Sequence, residues 1–226
     1  MRVRRTLLRQ LVGGSVLVTT PPRRRWEHKV LGFLSYPANI ALGGVAALVL
    51  ALPLVTLLPA AIALARAFST WRETGNDAVF TNTFREFGAT WRRSLVIGLV
   101  SLVILVILVA DIVFLVTQLT VGGAPQPVIL VSAAVIPIGA VVSLVLLSIP
   151  VAAAQHRDET ARHWIRAAVG LVVAKPLASL GILVVLLTVL LACIALPTLV
   201  PFAGMSVPIY AAIVLWGTPA GDSSPR

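Results

Sequence analysis

Three long stretches of this sequence are almost free of charge. They cover residues 30–65, 94–156 and 176–221, which are 36, 63 and 46 residues long, and the only charged residue within them is Asp111. The hydrocarbon core of a bilayer is about 30 Å thick and takes roughly 20 helical residues. The two longer stretches therefore each predict a helical hairpin with two crossings.

Helix breakers place the turns of these hairpins. Gly-Gly and two prolines interrupt the second stretch at 121–127, and two prolines interrupt the third at 197–201. Such residues end helices because proline lacks a backbone N–H and glycine lacks a Cβ atom. The predicted spans are 94–120, 128–152, 177–197 and 200–217.

The first stretch leaves two alternatives open. Residues 30–52 form one full span, and a bend from Pro53 to Pro59 follows. Only 15 to 18 residues then remain before Arg72, which is about 22 to 27 Å of helix and slightly short of a crossing. The return leg is either a short, tilted span or a re-entrant element whose bend is covered by neighbouring helices.

The composition agrees with a membrane protein. Hydrophobic residues make up 58% of the chain and charged residues 12%, against roughly 25% charged in soluble domains. We therefore predict an all-α, polytopic transmembrane bundle of about six spans with amphipathic cytoplasmic helices. Residues 1–29 form a basic arm, 30–217 the bundle and 218–226 a short tail.

The basic residues set the expected orientation. Of eighteen Lys and Arg, eight lie in 1–29, five in 66–93, four in 157–175 and one at Arg226, whereas the two turns have none. By the positive-inside rule, all basic segments and both termini are cytoplasmic in a multi-pass bacterial inner-membrane protein. The net charge of +10 then faces an anionic lipid leaflet rather than nucleic acid.

The tryptophans fall at the cytoplasmic edges of the predicted spans, where amphipathic rings prefer to lie. They are Trp26, Trp71, Trp91, Trp164 and Trp216.

An aromatic pattern precedes the third span. Phe80, Phe84, Phe87 and Trp91 recur at i, i+4, i+7 and i+11, which predicts an amphipathic helix over 77–91 that begins at Asn76 or Asp77. The helix either lies on the membrane surface and leads into the third span, or offers these aromatic residues to a partner. Arg92 and Arg93 follow directly and belong to the same candidate docking surface.

The second inner loop repeats this pattern. Glu159 or Thr160 can start a helix in which Trp164, Ala168 and Leu171 share one face, and Lys175 then leads into the fifth span.

These segments together resemble the YesL-like family of small bacterial integral membrane proteins, over about residues 26–216. One part of the likeness is a proline-threonine bend followed by an alanine-rich helix, and the other is a Phe-rich basic helix before the next span. The matching residues are Pro53, Val55, Thr56, Pro59, Ala60 and Ala61, then Phe80, Phe84, Phe87, Arg92 and Arg93. The resemblance implies an accessory membrane role in carbohydrate uptake by ABC transporters.

Two polar features are candidate sites for a substrate or ion. Asp111 and Gln118 share a face of the third span and are expected to point into the bundle, because an intramembrane carboxylate costs at least about 2.5 kcal/mol. Asp111 either contacts a substrate or ion, or is a polar anchor near the outer interface. Asn39 in the first span is expected to hydrogen-bond to a neighbour.

The bend is the second candidate. Broken helices near the membrane centre form substrate sites in many transporters, and Pro53, Thr56 and Pro59 build such a break. The same residues also suit a plain turn between two unequal legs.

Catalytic and cofactor sites are not expected. His156 and His163 lack a third metal ligand nearby, and the single Cys193 supports neither a disulfide nor a thiolate metal site. We therefore expect a non-enzymatic accessory or assembly component without metal or cofactor. Its expected partners are ABC-transporter subunits or a second copy of the chain. The alternative is a small-molecule or ion transporter that uses Asp111 and the Pro53–Pro59 bend.

Overall fold

The structure of this chain is a computed structural model that describes residues 25–121 and 126–217. Most of the predicted basic arm, the centre of the turn at 121–127 and the predicted tail at 218–226 lie outside the described residues. The chain divides into two units, residues 1–35 and 36–226. The first contributes only helical residues 25–35, and the contacts discussed below all lie in the second.

Seven α-helices make up the described residues. In chain order they are α1 (Arg25–Ala51), α2 (Leu57–Thr74), α3 (Val79–Val121), α4 (Gln126–Gln155), α5 (Ala161–Ala174), α6 (Pro176–Ala195) and α7 (Ser206–Trp216). A 3₁₀ turn at Leu54–Thr56 joins α1 to α2, and a 3₁₀ turn and a π-helical turn at Pro197–Leu199 and Val200–Gly204 precede α7.

The predicted all-α membrane fold is confirmed. Six helical segments are long and apolar enough to cross a bilayer, and the described residues contain no strand. These segments are Leu34–Ala51, Leu54–Thr74, Val79–Gln118, Ala134–Gln155, Pro176–Ala195 and Pro197–Trp216.

Helix α2 forms the centre of the second unit. Its alanine-rich sequence presents small side chains on every face, so neighbouring helices approach it closely. It is the most buried of the six candidate spans, and it packs against α3, α4 and α7. Gly43 of α1 also lies against α2, because a Cβ atom at this position would lie 2.9 Å from Leu64.

The Thr56 side chain forms hydrogen bonds within the bend between α1 and α2. Thr56 Oγ1 lies 2.5 Å from the Leu50 carbonyl oxygen, which the end of α1 leaves free, and 2.6 Å from that of Pro53, which also accepts the Thr56 N–H. At its other end α2 stops at Gly75, whose φ of +69° is the left-handed conformation that glycine adopts most easily.

Helix α3 differs from the prediction because the amphipathic segment and the third span are one continuous helix that begins at Val79. Its 43 residues measure about 64 Å, and even a 40° tilt leaves about 49 Å along the membrane normal. A bilayer with its headgroups is only about 45 Å thick. Because α3 contains no proline to bend it, residues 77–91 do not form a separate helix lying flat on the membrane.

The predicted starts of α5 and α6 are confirmed. Thr160 is the N-cap residue of α5, and α6 begins at Pro176, where proline's missing N–H is not needed. Trp164 and Ala168 are buried on α5. Near the start of α7, the backbone of residues 201–202 approaches α1 so closely that a Cβ atom on Gly44 would lie 2.6 Å from the Phe202 carbonyl oxygen.

Candidate functional site

A buried arginine lies at the centre of the most polar cluster in the described structure. Arg66 is in the alanine-rich part of α2, and its side chain is only 7% exposed. Residues of α3, α4 and α5 surround its side chain. We call the cluster the arginine network and define it as Arg66, Thr70, Glu86, Arg157 and Trp164.

Each nitrogen atom of the Arg66 guanidinium group has an ion-pair or hydrogen-bond partner. Its Nη1 atom lies 3.8 Å from Oε2 of Glu86 on α3. Its Nε atom donates to the Ala153 carbonyl oxygen at 3.2 Å, and Nη2 donates to the Arg157 carbonyl oxygen at 2.9 Å. The last two bonds use carbonyl groups at and just beyond the end of α4, which have no partner within the helix.

Arg157, in the α4–α5 connection, also contacts Glu86 and donates to α2. Its Nη1 atom lies 3.4 Å from Glu86 Oε1, and its Nη2 atom donates to Thr70 Oγ1 at 2.8 Å and to the Arg66 carbonyl oxygen at 3.3 Å. Trp164 of α5 covers the network, with its ring centre 5.6 Å from the Arg66 guanidinium carbon. The Trp164 Nε1 atom donates to the His156 carbonyl oxygen at 2.7 Å.

This arrangement joins helices rather than forming an open reactive site. One carboxylate serves two guanidinium groups, which also donate to the Thr70 hydroxyl and to backbone oxygens of α2, α4 and the α4–α5 connection. The network does not follow from the distribution of basic residues along the sequence, which places Arg66 and Arg157 among the loop charges. The available signal was the position of Arg66 within an uninterrupted apolar helix pattern.

A second polar contact lies where α2 turns into α3. Asn39 Nδ2 donates to Asp77 Oδ1 at 3.0 Å, and Trp71 Nε1 donates to the same oxygen at 2.9 Å. The expectation that Asn39 bonds to a neighbour is therefore confirmed. Asp77 thereby links α1, α2 and the start of α3.

The tryptophans do not all lie at a lipid-facing edge. Trp71, Trp164 and Trp216 are buried within the bundle, with 6% of Trp71 exposed and none of the other two, so their predicted role as amphipathic surface rings is wrong. Their contacts are internal, as the 5.9 Å between the rings of Trp71 and Tyr210 shows. Trp91 is partly exposed, and the side chain of Trp26 lies outside the described part.

The predicted docking residues remain accessible. Phe80 and Phe84 are 40% and 37% exposed and lie 5.2 Å apart between ring centres, while Phe87 and Trp91 are partly buried. The side of α3 about a quarter turn away from these rings is buried, and its residues are small or polar: Val79, Asn82, Thr83, Thr90 and Ser94.

Two exposed arginines border this face. The guanidinium group of Arg92 lies over the Trp91 ring at 5.5 Å, and Arg93 Nη2 donates to the Glu159 carbonyl oxygen at 3.5 Å.

The predicted transport residues are not brought together. Gly98 packs against Pro59, since a Cβ atom there would lie 3.0 Å from the proline ring, and Asp111 lies thirteen residues or about 20 Å further along α3. Pro59 is buried, Thr56 is half-buried and Pro53 is exposed.

Asp111 also has a different orientation from the one predicted. Its side chain is exposed and does not point into the bundle, although Leu115 is buried and Gln118 half-buried one and two turns later. Leu115 and Gln118 lie on about the same side of α3 as Asp111, as predicted, but Leu115 is covered and Gln118 partly covered while Asp111 stays exposed.

The cavities between the helices are apolar. One of about 370 Å³ lies among α2, α3, α4, α6 and α7, and another of about 500 Å³ lies among α3, α4 and α6. Among the side chains that the structure describes, Ser101 and Ser143 are the only polar ones that line them. A hydrated path for a polar substrate needs more hydrogen-bonding groups than two hydroxyls supply.

The histidine pair has no further metal ligands nearby. The rings of His156 and His163 meet edge to face at 5.0 Å. Within residues 25–121 and 126–217, no group of three His, Cys, Asp or Glu side chains can hold a metal ion.

Comparisons with known proteins identify one similarity. No curated protein and no solved structure matches the chain. Residues 32–112 match the model of a family described as "Protein of unknown function, DUF624". This region contains α2, the Arg66–Glu86 pair and the exposed aromatic face of α3, so the chain is similar to that family where its helices pack most tightly.

Proposed function

We propose that this protein is a non-enzymatic accessory or assembly component of the bacterial inner membrane. Its resemblance to YesL-like proteins suggests that it serves carbohydrate uptake by an ABC transporter. The observation that carries the proposal is the exposed aromatic face of α3: Phe80 and Phe84 stay accessible although the adjoining side of the same helix is buried.

The length of α3 supports a docking role. The helix is longer than a bilayer is thick, so one end extends into water. Its first fifteen residues contain Arg85, Glu86, Arg92 and Arg93, whereas Asp111 is the only charge in the rest, so the aromatic end is the one that extends out. Large aromatic side chains are typical anchors of protein interfaces.

The arginine network supports the same proposal. It ties α2, α3 and α4 together directly behind the aromatic face, because Glu86 follows Phe84 by two residues. An interface on such a fixed support loses little conformational freedom when it binds. The bordering Arg85 and Arg92 suit a partner surface that carries acidic residues.

Transport is the less supported alternative. Asp111 and the Pro53–Pro59 bend are far apart, and the cavities between them are lined by apolar side chains. Thr56 of the bend donates its hydroxyl to the backbone.

Site-specific photo-cross-linking tests the docking proposal. A photoreactive side chain at Phe84 is compared with one at Ala89, which is also exposed but lies about 140° around the helix. We expect the probe at Phe84, and not that at Ala89, to form an adduct with the permease or the ATP-binding subunit of a carbohydrate ABC transporter in native membranes. The double variant Phe80→Ser/Phe84→Ser should reduce copurification of that subunit at least tenfold. Adducts with lipid alone, or with another copy alone, would overturn the proposal.

A further inference from the structure

We propose that the exposed face of α3 around Asp111 binds a transmembrane helix of another protein, and that this helix presents a lysine or arginine at the depth of Asp111. This inference rests on the proposed function, since it assigns a contact within the membrane to an accessory component. It concerns a different part of α3 from the aromatic face.

The first step is that the chain itself does not satisfy this carboxylate. Asp111 is exposed, and within the described residues it forms no hydrogen bond or ion pair. The two ion pairs there both belong to Glu86.

The second step is that Asp111 lies inside the apolar band of α3. Ile107 and Phe114, one turn before and one turn after it, are 56% and 54% exposed. The first polar side chains that follow are Thr117 and Gln118, about 9 to 10 Å further along the helix. An aspartate side chain is too short to reach across that distance, unlike the long side chains of lysine and arginine. A carboxylate exposed to hydrocarbon costs at least about 2.5 kcal/mol.

The third step concerns the identity of the partner. In a two-fold dimer about the membrane normal, this face of α3 would meet its own copy at the same depth, and two like charges would oppose each other. The arginines of α2 are not available as counter-charges, because Arg66 pairs with Glu86 and Arg72 Nη1 donates to the Ile213 carbonyl oxygen. Charge complementarity therefore favours a different protein with a cationic side chain in its span.

The test uses synthetic transmembrane helices of leucine and alanine in liposomes that hold the full-length protein. One peptide has a single lysine at the depth of Asp111, and its control has leucine there. Association is measured by energy transfer. We expect the lysine peptide to bind at least tenfold more tightly, and we expect this preference to disappear in Asp111→Val.

A matched variant tests whether binding depends on the face of α3 that carries the carboxylate, and not only on the presence of a carboxylate. Asp111→Val/Val113→Asp moves the carboxylate by two residues to nearly the opposite side of the same helix. It should bind the lysine peptide no better than Asp111→Val does. Equal binding of the two peptides to the unmodified protein, an undiminished preference in either variant, or cross-linking of two copies through position 111 would overturn the inference.

These experiments do not touch Phe80 or Phe84. A failed peptide experiment therefore leaves the photo-cross-linking result unchanged. Conversely, a failed cross-link at Phe84 leaves the lysine preference measurable. Both Asp111 variants are first checked for an unchanged melting temperature, which is expected because removing an exposed intramembrane charge creates no cavity.

Discussion

Arg66 of α2 and Glu86 of α3 form an ion pair in which neither side chain is more than 15% exposed. Because α2 and α3 are consecutive and antiparallel, this ion pair fixes the register between the two helices. A buried pair of this kind adds little stability compared with apolar residues, but leaving one partner alone is costly.

Removal of the Glu86 carboxylate should destabilise the protein strongly. Glu86→Ala leaves Arg66 and Arg157 without their shared anion, and we expect the free energy of unfolding to fall by about 3 kcal/mol. The measurement is denaturant unfolding in mild detergent. Arg85→Ala is the control, because Arg85 is exposed on the neighbouring position and should change the value by less than about 0.5 kcal/mol. Equal effects of the two variants would contradict a structural role for the network.

Loss of the Asp77 carboxylate should also be destabilising. Asp77→Ala removes the acceptor of both Asn39 and Trp71, and Asn39 is buried. We expect a loss of about 2 kcal/mol in the free energy of unfolding, which is the cost of unsatisfied buried donors. Glu73→Ala, an exposed carboxylate one turn before, serves as the comparison in the same assay, and a loss as large there would count against this contact.

Two glycines should respond oppositely to a methyl group. Gly44→Ala places a Cβ atom 2.6 Å from the Phe202 carbonyl oxygen, so α1 must move away from residues 201–202 and the melting temperature should fall by several degrees. Gly88→Ala meets nothing within 4 Å and should stabilise α3 by up to about 1 kcal/mol. An unchanged melting temperature in Gly44→Ala would show that α1 and residues 201–202 are not tightly packed against each other.

The register of α2 against α3 favours the re-entrant alternative for the first hairpin. Pro59 packs beside Gly98, only five residues after Arg93, so the bend lies near the basic end of the third span. We expect a cysteine at Leu54, in a Cys193→Ser background, to resist a membrane-impermeant maleimide added outside intact cells. Rapid labelling there would indicate a full crossing by α2.

The sequence was most informative where one physical signal dominates. Apolar length predicted six helical segments, and Thr160 and Pro176 marked helix starts correctly, because capping depends only on local residues. The burial of Arg66 was missed since a charge count treats every arginine as exposed, although its guanidinium group is satisfied by residues about 90 positions away. The inward orientation of Trp164 depends on the same distant contacts.

The orientation of Asp111 shows a further limit. Helical periodicity correctly places Asp111 and Gln118 on one side of α3, but it does not say which side faces the other helices. That choice depends on the neighbouring helices, such as α4, where a Cβ atom on Gly139 would lie 2.9 Å from Leu108 of α3. The continuity of α3 was in fact visible in the sequence, because no proline separates residues 79 and 121.

We propose that the basic ends of the helices lie together in the cytoplasm while the uncharged turns face outward. Maleimide labelling of single cysteines in a Cys193→Ser background tests this orientation. We expect Gly123→Cys, in the turn predicted at 121–127, to be labelled from outside intact cells and Arg92→Cys to be labelled only after permeabilisation. Labelling of Arg92→Cys from outside, with Gly123→Cys protected, would contradict the orientation and the cytoplasmic placement of the aromatic face of α3.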